Sequence, residues 1–254
     1  MGDHPVVACW SGPDSVGALE LGAALASALG RPLVVATAYL YTPAAYSARV
    51  VPAESDERRR AAAEAAVARA RRLVDDALEV RERTVPATRI SAALVDLARD
   101  EDAMLLTLGR DTEGRVTREV LRDAPCPVAI SPYTVALPPA PPLLRLGVAD
   151  DGSRCATLAR VVGDALAVAT GGRVDALTAP EADDAGHWLV EQSKDYDLLL
   201  CGSRGRGRFA AAILGSVSGR LIAGAHCPVV VVPQRARRTA VSPLGLSTGA
   251  GLFR

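Results

Sequence analysis

Short runs of consecutive apolar residues recur along the chain, each too uniform to alternate and each bounded by turn formers. In the first half they are Pro5-Val-Val-Ala-Cys-Trp10, Pro32-Leu-Val-Val-Ala-Thr-Ala38, Asp102-Ala-Met-Leu-Leu-Thr-Leu-Gly109 and Pro127-Val-Ala-Ile130. In the second they are Leu143-Leu-Arg-Leu-Gly-Val-Ala149, Arg173-Val-Asp-Ala-Leu-Thr178, Asp197-Leu-Leu-Leu-Cys-Gly202 and Pro228-Val-Val-Val-Val232. Helical spacing fills the gaps, at Val16 to Leu29, over residues 54–83, and at Ile90 to Arg99, Cys155 to Ala169 and Asp184 to Lys194, with a further strand near Leu78 to Val85. Strands alternating with helices, and too apolar to have a wet face, predict a parallel sheet covered on both sides. The expected class is α/β, doubly wound.

The chain repeats itself. Gly114-Arg-Val-Thr and Ala124-Pro-Cys-Pro-Val128 match Gly215-Ser-Val-Ser and Ala225-His-Cys-Pro-Val229, every pair being 101 positions apart. A repeat of this length means two copies of one unit. Leu137-Pro-Pro-Ala-Pro-Pro142 can neither continue a helix nor donate to a sheet, and reads as a stiff linker between them. The expected organisation is a domain in 1–136, a second in 143–234 and a flexible tail over 235–254. The second unit passes from Thr178 almost directly to the helix at Asp184, so it is expected to lack one helix and one strand and to keep four strands.

Composition narrows the function. Lysine plus arginine equals aspartate plus glutamate at 29 each, so no overall basic field exists to hold a nucleic acid. The five cysteines, Cys9, Cys126, Cys155, Cys201 and Cys227, sit in or beside apolar runs without metal-ligand spacing and read as buried thiols. No apolar run approaches the roughly 20 residues that span a bilayer, and no secretory leader is evident. A reducing, cytoplasmic location is expected.

The chemistry concentrates between the third strand and last helix of the second unit. Gly202-Ser203-Arg204-Gly205 is followed, nine residues on, by Gly215-Ser216-Val217-Ser218. Glycines allow positive φ and a close backbone approach, so that N–H groups can ring a phosphate. Ser216 and Ser218 fall where the helix starts, beside its free amides and positive dipole end. Arg204, Arg206 and Arg208 bring cationic charge to the same loop; a solvated basic loop is the alternative. Asp150 and Asp151, in the turn Asp150-Asp-Gly-Ser153 after the first strand of that unit, are candidates for a ribose, a base or a magnesium ion, or else for helix caps. With Lys194 the only lysine, a lysine-based phosphate loop is ruled out.

Asp-Gly-Ser after the first strand, Gly-x2-Gly-x9-Gly-Ser before the last helix, then Ala-His-Cys-Pro-Val-Val-Val-Val together resemble the universal stress protein family. The resemblance is strong over about 143–233 and extends to 5–131 through the repeat. It implies two Rossmann-like domains, of adenine-nucleotide α-hydrolase type, in tandem. It further implies that ATP, with or without Mg2+, binds the second: Asp151 by the adenosine, a backbone group near Leu177 facing the adenine, and Gly202, Gly205, Gly215, Ser216 and Val217 on the ribose and phosphates. Pairing of the last strands, at Val128 to Ser131 and Val229 to Val232, would make an intramolecular pseudo-dimer, and a homodimer could add to it. The first unit departs from the motif. Trp10-Ser-Gly12 stands where Asp-Gly-Ser belongs, Arg-Asp-Thr-Glu shortens the loop before Gly114, and Arg115 replaces the serine. No nucleotide is expected there. The implied function is a non-catalytic, ATP-binding stress-response regulator; the alternatives are a slow ATPase using Asp151 and magnesium, and a nucleotide-free interaction module.

Overall fold

The structure, a computed structural model, describes residues 4–41, 53–110, 114–132, 143–181, 184–203, 215–234 and 236. The first half contributes β1 (Val6–Cys9), α1 (Val16–Leu29), β2 (Leu33–Leu40), α2 (Ala53–Arg71), β3 (Val80–Ala87), α3 (Ile90–Asp100), β4 (Leu105–Gly109), α4 (Arg115–Asp123) and β5 (Val128–Ser131). The second contributes β6 (Arg145–Ala149), α5 (Arg154–Thr170), β7 (Arg173–Leu177), α6 (Ala185–Gln192), β8 (Leu198–Gly202), α7 (Ser216–Gly224) and β9 (Val229–Val232). The linker at 137–142 and the loop arginines lie outside the described residues, as does the tail apart from Ala236.

The nine strands of the described residues form one sheet in the order β3-β2-β1-β4-β5-β9-β8-β6-β7. Within each half every pair is parallel, as the unalternating apolar runs require. The halves meet at β5 and β9, which pair antiparallel with Ala129 opposite Val230. Those two positions are 101 apart, so each repeat meets its own counterpart, which is the register of a local two-fold axis.

Strand side chains alternate between two cores. Val6, Ala8, Leu146, Val148, Leu198, Leu200, Val230 and Val232 face one side with α1, α2 and α5. Val7, Val34, Leu199, Cys201, Val229 and Val231 face the other with α3, α4, α6 and α7. Both cores run across the β5–β9 junction, so neither half owns its interior. Among the described residues the second half has no counterpart of α2 and β3, which leaves β7 as a half-exposed edge.

One element differs from expectation. The helix expected over 54–83 stops at Arg71, because Asp75 turns its carboxylate onto the amide of Ala77 and the following chain is claimed by the sheet. Pro86 sits within β3, where an edge strand tolerates a residue without an N–H.

Candidate functional site

Within each half the parallel strands put their carboxyl ends together, on opposite edges of the common sheet because β5 and β9 run antiparallel, and each half opens a cavity at its own carboxyl edge. In the second half the cavity is about 180 Å³. The turn after β6, the end of β7, the end of β8 and the start of α7 converge on it, bringing Asp151, Leu177, Gly202 and Val217 into one lining.

Each piece has a local cause. In the turn, Asp150 Oδ1 accepts from the amide of Gly152 at 2.8 Å and Asp151 Oδ1 from that of Ser153 at 2.9 Å. These successive turns need the positive φ of +68° at Gly152. Ser153 then caps α5, its hydroxyl accepting from Ala156 at 3.2 Å. The helix cap is therefore Ser153, and Asp151 stands one turn before it on the cavity. The Leu177 carbonyl accepts from the Asp150 amide at 2.9 Å, which ties the turn to β7.

The base of the glycine loop is closed by backbone. Gly215 donates to the Ser203 carbonyl at 3.0 Å, and Ser203 donates to Val232 at 3.0 Å. The buried Ser218 hydroxyl donates to the Gly215 and Ser203 carbonyls at 3.1 and 3.4 Å, so it holds the loop ends together. Gly215 precedes α7 in extended conformation and supplies no side-chain cap. The first amides of α7, at Ser216 and Val217, thus form an anion-seeking end beside the cavity. Arg204 and Gly205 lie outside the described residues.

Ala156, Leu189 and Cys201 also line the cavity, from α5, α6 and β8. The motif did not single them out, since in sequence they are ordinary core positions; only Leu189 had a signal, the inward face of α6. Burial pushes the Cys201 thiol up to about 12, so it adds apolar wall and no nucleophile.

The corresponding place in the first half is a larger cavity of about 540 Å³. Here the structure corrects one detail. The Trp10 amide donates to Ala36 just as the Asp150 amide donates to Leu177. Trp10 therefore matches Asp150, and Ser11 matches Asp151; the carboxylate is still missing. A short turn of 3-10 helix at Pro13–Ser15 precedes α1, which explains the slip in register. Across the junction, Arg110 Nη1 donates to the carbonyls of Ile222, at 3.1 Å, and Ala223 at the end of α7.

Comparison with known proteins agrees with the fold. The family model described as "Universal stress protein family" matches residues 4–132 and 183–233. A universal stress protein of Mycobacterium tuberculosis H37Rv is 50% identical over 48 residues, 19% of this chain and 18% of that protein. One from Mycolicibacterium smegmatis is 44% identical over 55 residues, 22% and 19% of the two chains. These alignments therefore span about a fifth of the relatives' length. The crystal structure of a universal stress protein from Archaeoglobus fulgidus superposes with a TM-score of 0.71 at 16% identity, covering 91% of this chain and 97% of that one. A functionally unknown protein from Pseudomonas aeruginosa PAO1 gives 0.63 at 12% identity, over 95% of each chain.

Proposed function

Because the chain belongs to the universal stress protein family, we propose that it is a stress-response regulator that binds an adenine nucleotide, ATP foremost, in the cavity of its second half and does no chemistry on it. In this reading the domains are 1–136 and 143–234, joined as an intramolecular pseudo-dimer through β5 and β9. The observation that carries the proposal is the convergence of Asp151, Leu177 and Gly202 with the uncapped start of α7 on one cavity.

The groups present suit the ligand. Leu177, Leu189 and Ala156 offer apolar wall to a base. The Asp151 carboxylate can accept from ribose hydroxyls. The amides of Ser216 and Val217, with the helix dipole behind them, suit phosphate oxygens. About 180 Å³ is below the roughly 300–1,000 Å³ of cavities that enclose whole small ligands. The base and sugar are therefore the enclosed part, with phosphates and their Mg2+ carried outward.

The small volume also favours a second reading, a nucleotide-free interaction module. One experiment separates the two: thermal unfolding with and without millimolar Mg-ATP, for wild type and Ser216→Asp. The added carboxylate suits the helix dipole and repels phosphate, so apo stability should hold or rise by about 0.3–1 kcal/mol. Ligand at about 100 times its dissociation constant should add about 2.7 kcal/mol to wild type alone. No rise in either protein supports the interaction module. Equal rises would place the nucleotide away from α7 and overturn the proposed site.

A further inference from the structure

Among the described residues the outer strands of the sheet are β3 and β7, and the chain finishes them differently. Along β3 the Glu79 carbonyl accepts from Leu33 and the Ala87 carbonyl from Tyr41. Odd-numbered residues of β3 therefore turn their peptide groups to β2, and even-numbered ones turn theirs outward. Pro86 falls in the outward set and supplies no N–H. Arg81 and Arg83 put two like charges on one face, both paired with Glu101. An edge built in this way resists a further strand.

β7 has no such device. The Arg173 amide donates to the Leu144 carbonyl and the Leu177 carbonyl accepts from Asp150, so Arg173, Asp175 and Leu177 turn their peptide groups to β6. Those of Val174 and Ala176 point outward, and no described strand takes them up. In the first half β3 covers the matching side of β2; among the described residues the second half has nothing equivalent. Neither proline nor glycine interrupts Arg173–Leu177. Backbone N–H and C=O groups need partners, so such an edge is a template for another strand.

The side chains say which strand fits. Arg173 and Asp175 project from one face of β7, opposite in sign, 3.8 Å apart and both open to solvent. Let two β7 strands pair antiparallel with Val174 facing its own copy. Arg173 of each chain then stands opposite Asp175 of the partner subunit, the four charges alternating in sign. Ala176 faces Gly172 of the partner subunit, where neither side chain obstructs. In the two neighbouring registers that keep the pleat, Arg173 or Asp175 would oppose its own copy, like against like. We infer that β7 is a homodimer surface, through which a second copy of this chain extends the nine-stranded sheet across a two-fold axis at Val174. This goes beyond the nucleotide reading and does not depend on it. The contact is short, so the dimer is reversible, with a dissociation constant on the order of 10 μM.

Charge exchange on the full chain tests it, read by sedimentation velocity from about 1 to about 100 μM. Wild type should pass from monomer to dimer over that range, and hydrogen exchange at the Val174 and Ala176 amides should slow as it does. Arg173→Asp and Asp175→Arg each set like charges across the axis and should weaken self-association about tenfold. The double variant Arg173→Asp/Asp175→Arg should recover it, and the two single variants, mixed, should pair with each other. Urea midpoints check that each variant is folded. A dimer indifferent to both single changes lies on another surface and overturns the inference. So does a double variant as weak as the single ones. Wild type that stays monomeric overturns it as well: with those amides protected, a segment of the same chain, foremost 237–254, covers the edge; with them exchanging freely, the edge takes no second copy.

Discussion

At position 202 the chain has no room for a side chain. A Cβ there would lie 2.9 Å from the carbonyl carbon of Cys155 and closer still to its Cβ, where β8 ends against the first turn of α5. Gly202→Ala should cost about 1–3 kcal/mol by overpacking, read as a lower urea midpoint at unchanged slope. The same burial governs the thiols. Cys201 and Cys227 are pushed up to about 12, so at pH 8 roughly one in ten thousand is ionised. Mass spectrometry should find both unmodified by iodoacetamide in native protein and modified once it unfolds. The shared cavity of Asp151, Leu177, Gly202 and Val217 was legible in the sequence because strand ends anchor the motif, and strand ends are where apolar runs stop. The register of Trp10 was not. From the matched strand ends to the helix caps the chain takes five steps in one half, Trp10 to Ser15, and three in the other, Asp150 to Ser153. Matching the glycines by eye hides that difference.

Two short helices of the second half are joined by charge. Asp184 caps α6 through the amides of Gly186 and His187 and pairs with Arg220 of α7. The His187 amide first, and then Arg220, hold its carboxyl below the usual carboxylate range. A depressed folded value means that the stabilisation is complete above the unfolded value of about 4 and is lost as pH falls toward the folded one. Asp184→Asn keeps a good cap but not the charge. Urea midpoints measured from pH 7 down to 2.5 should therefore fall less steeply below pH 4 in Asp184→Asn than in wild type. Equal slopes would assign the acid sensitivity elsewhere. Elements of this kind were readable where one pattern ran between clear breakers, as at Val16–Leu29. The end of α2 was not, because Val74-Asp-Asp-Ala-Leu-Glu79 is compatible with a helix locally. Pairing of β3 along the whole of β2 decides it, and that is a tertiary fact.

For the molecule as a whole, a sheet continuous through β5 and β9 between two shared cores makes the halves one cooperative body. Calorimetry should show a single transition with equal calorimetric and van't Hoff enthalpies; two resolved transitions would mean that the junction carries little of the stability. The junction also gives α7 a double position. Seven of its residues, about 9 Å of helix, run from Val217 on the small cavity to Ile222 and Ala223, whose carbonyls are held by Arg110 of the large one. The helix thus ties the Arg110 anchor in one half to the wall of the small cavity in the other. In Arg110→Ala, where that anchor is cut, Mg-ATP should bind more weakly by calorimetry although residue 110 lies outside the small cavity; an unchanged dissociation constant would show that the far end of the helix is held by its own half alone.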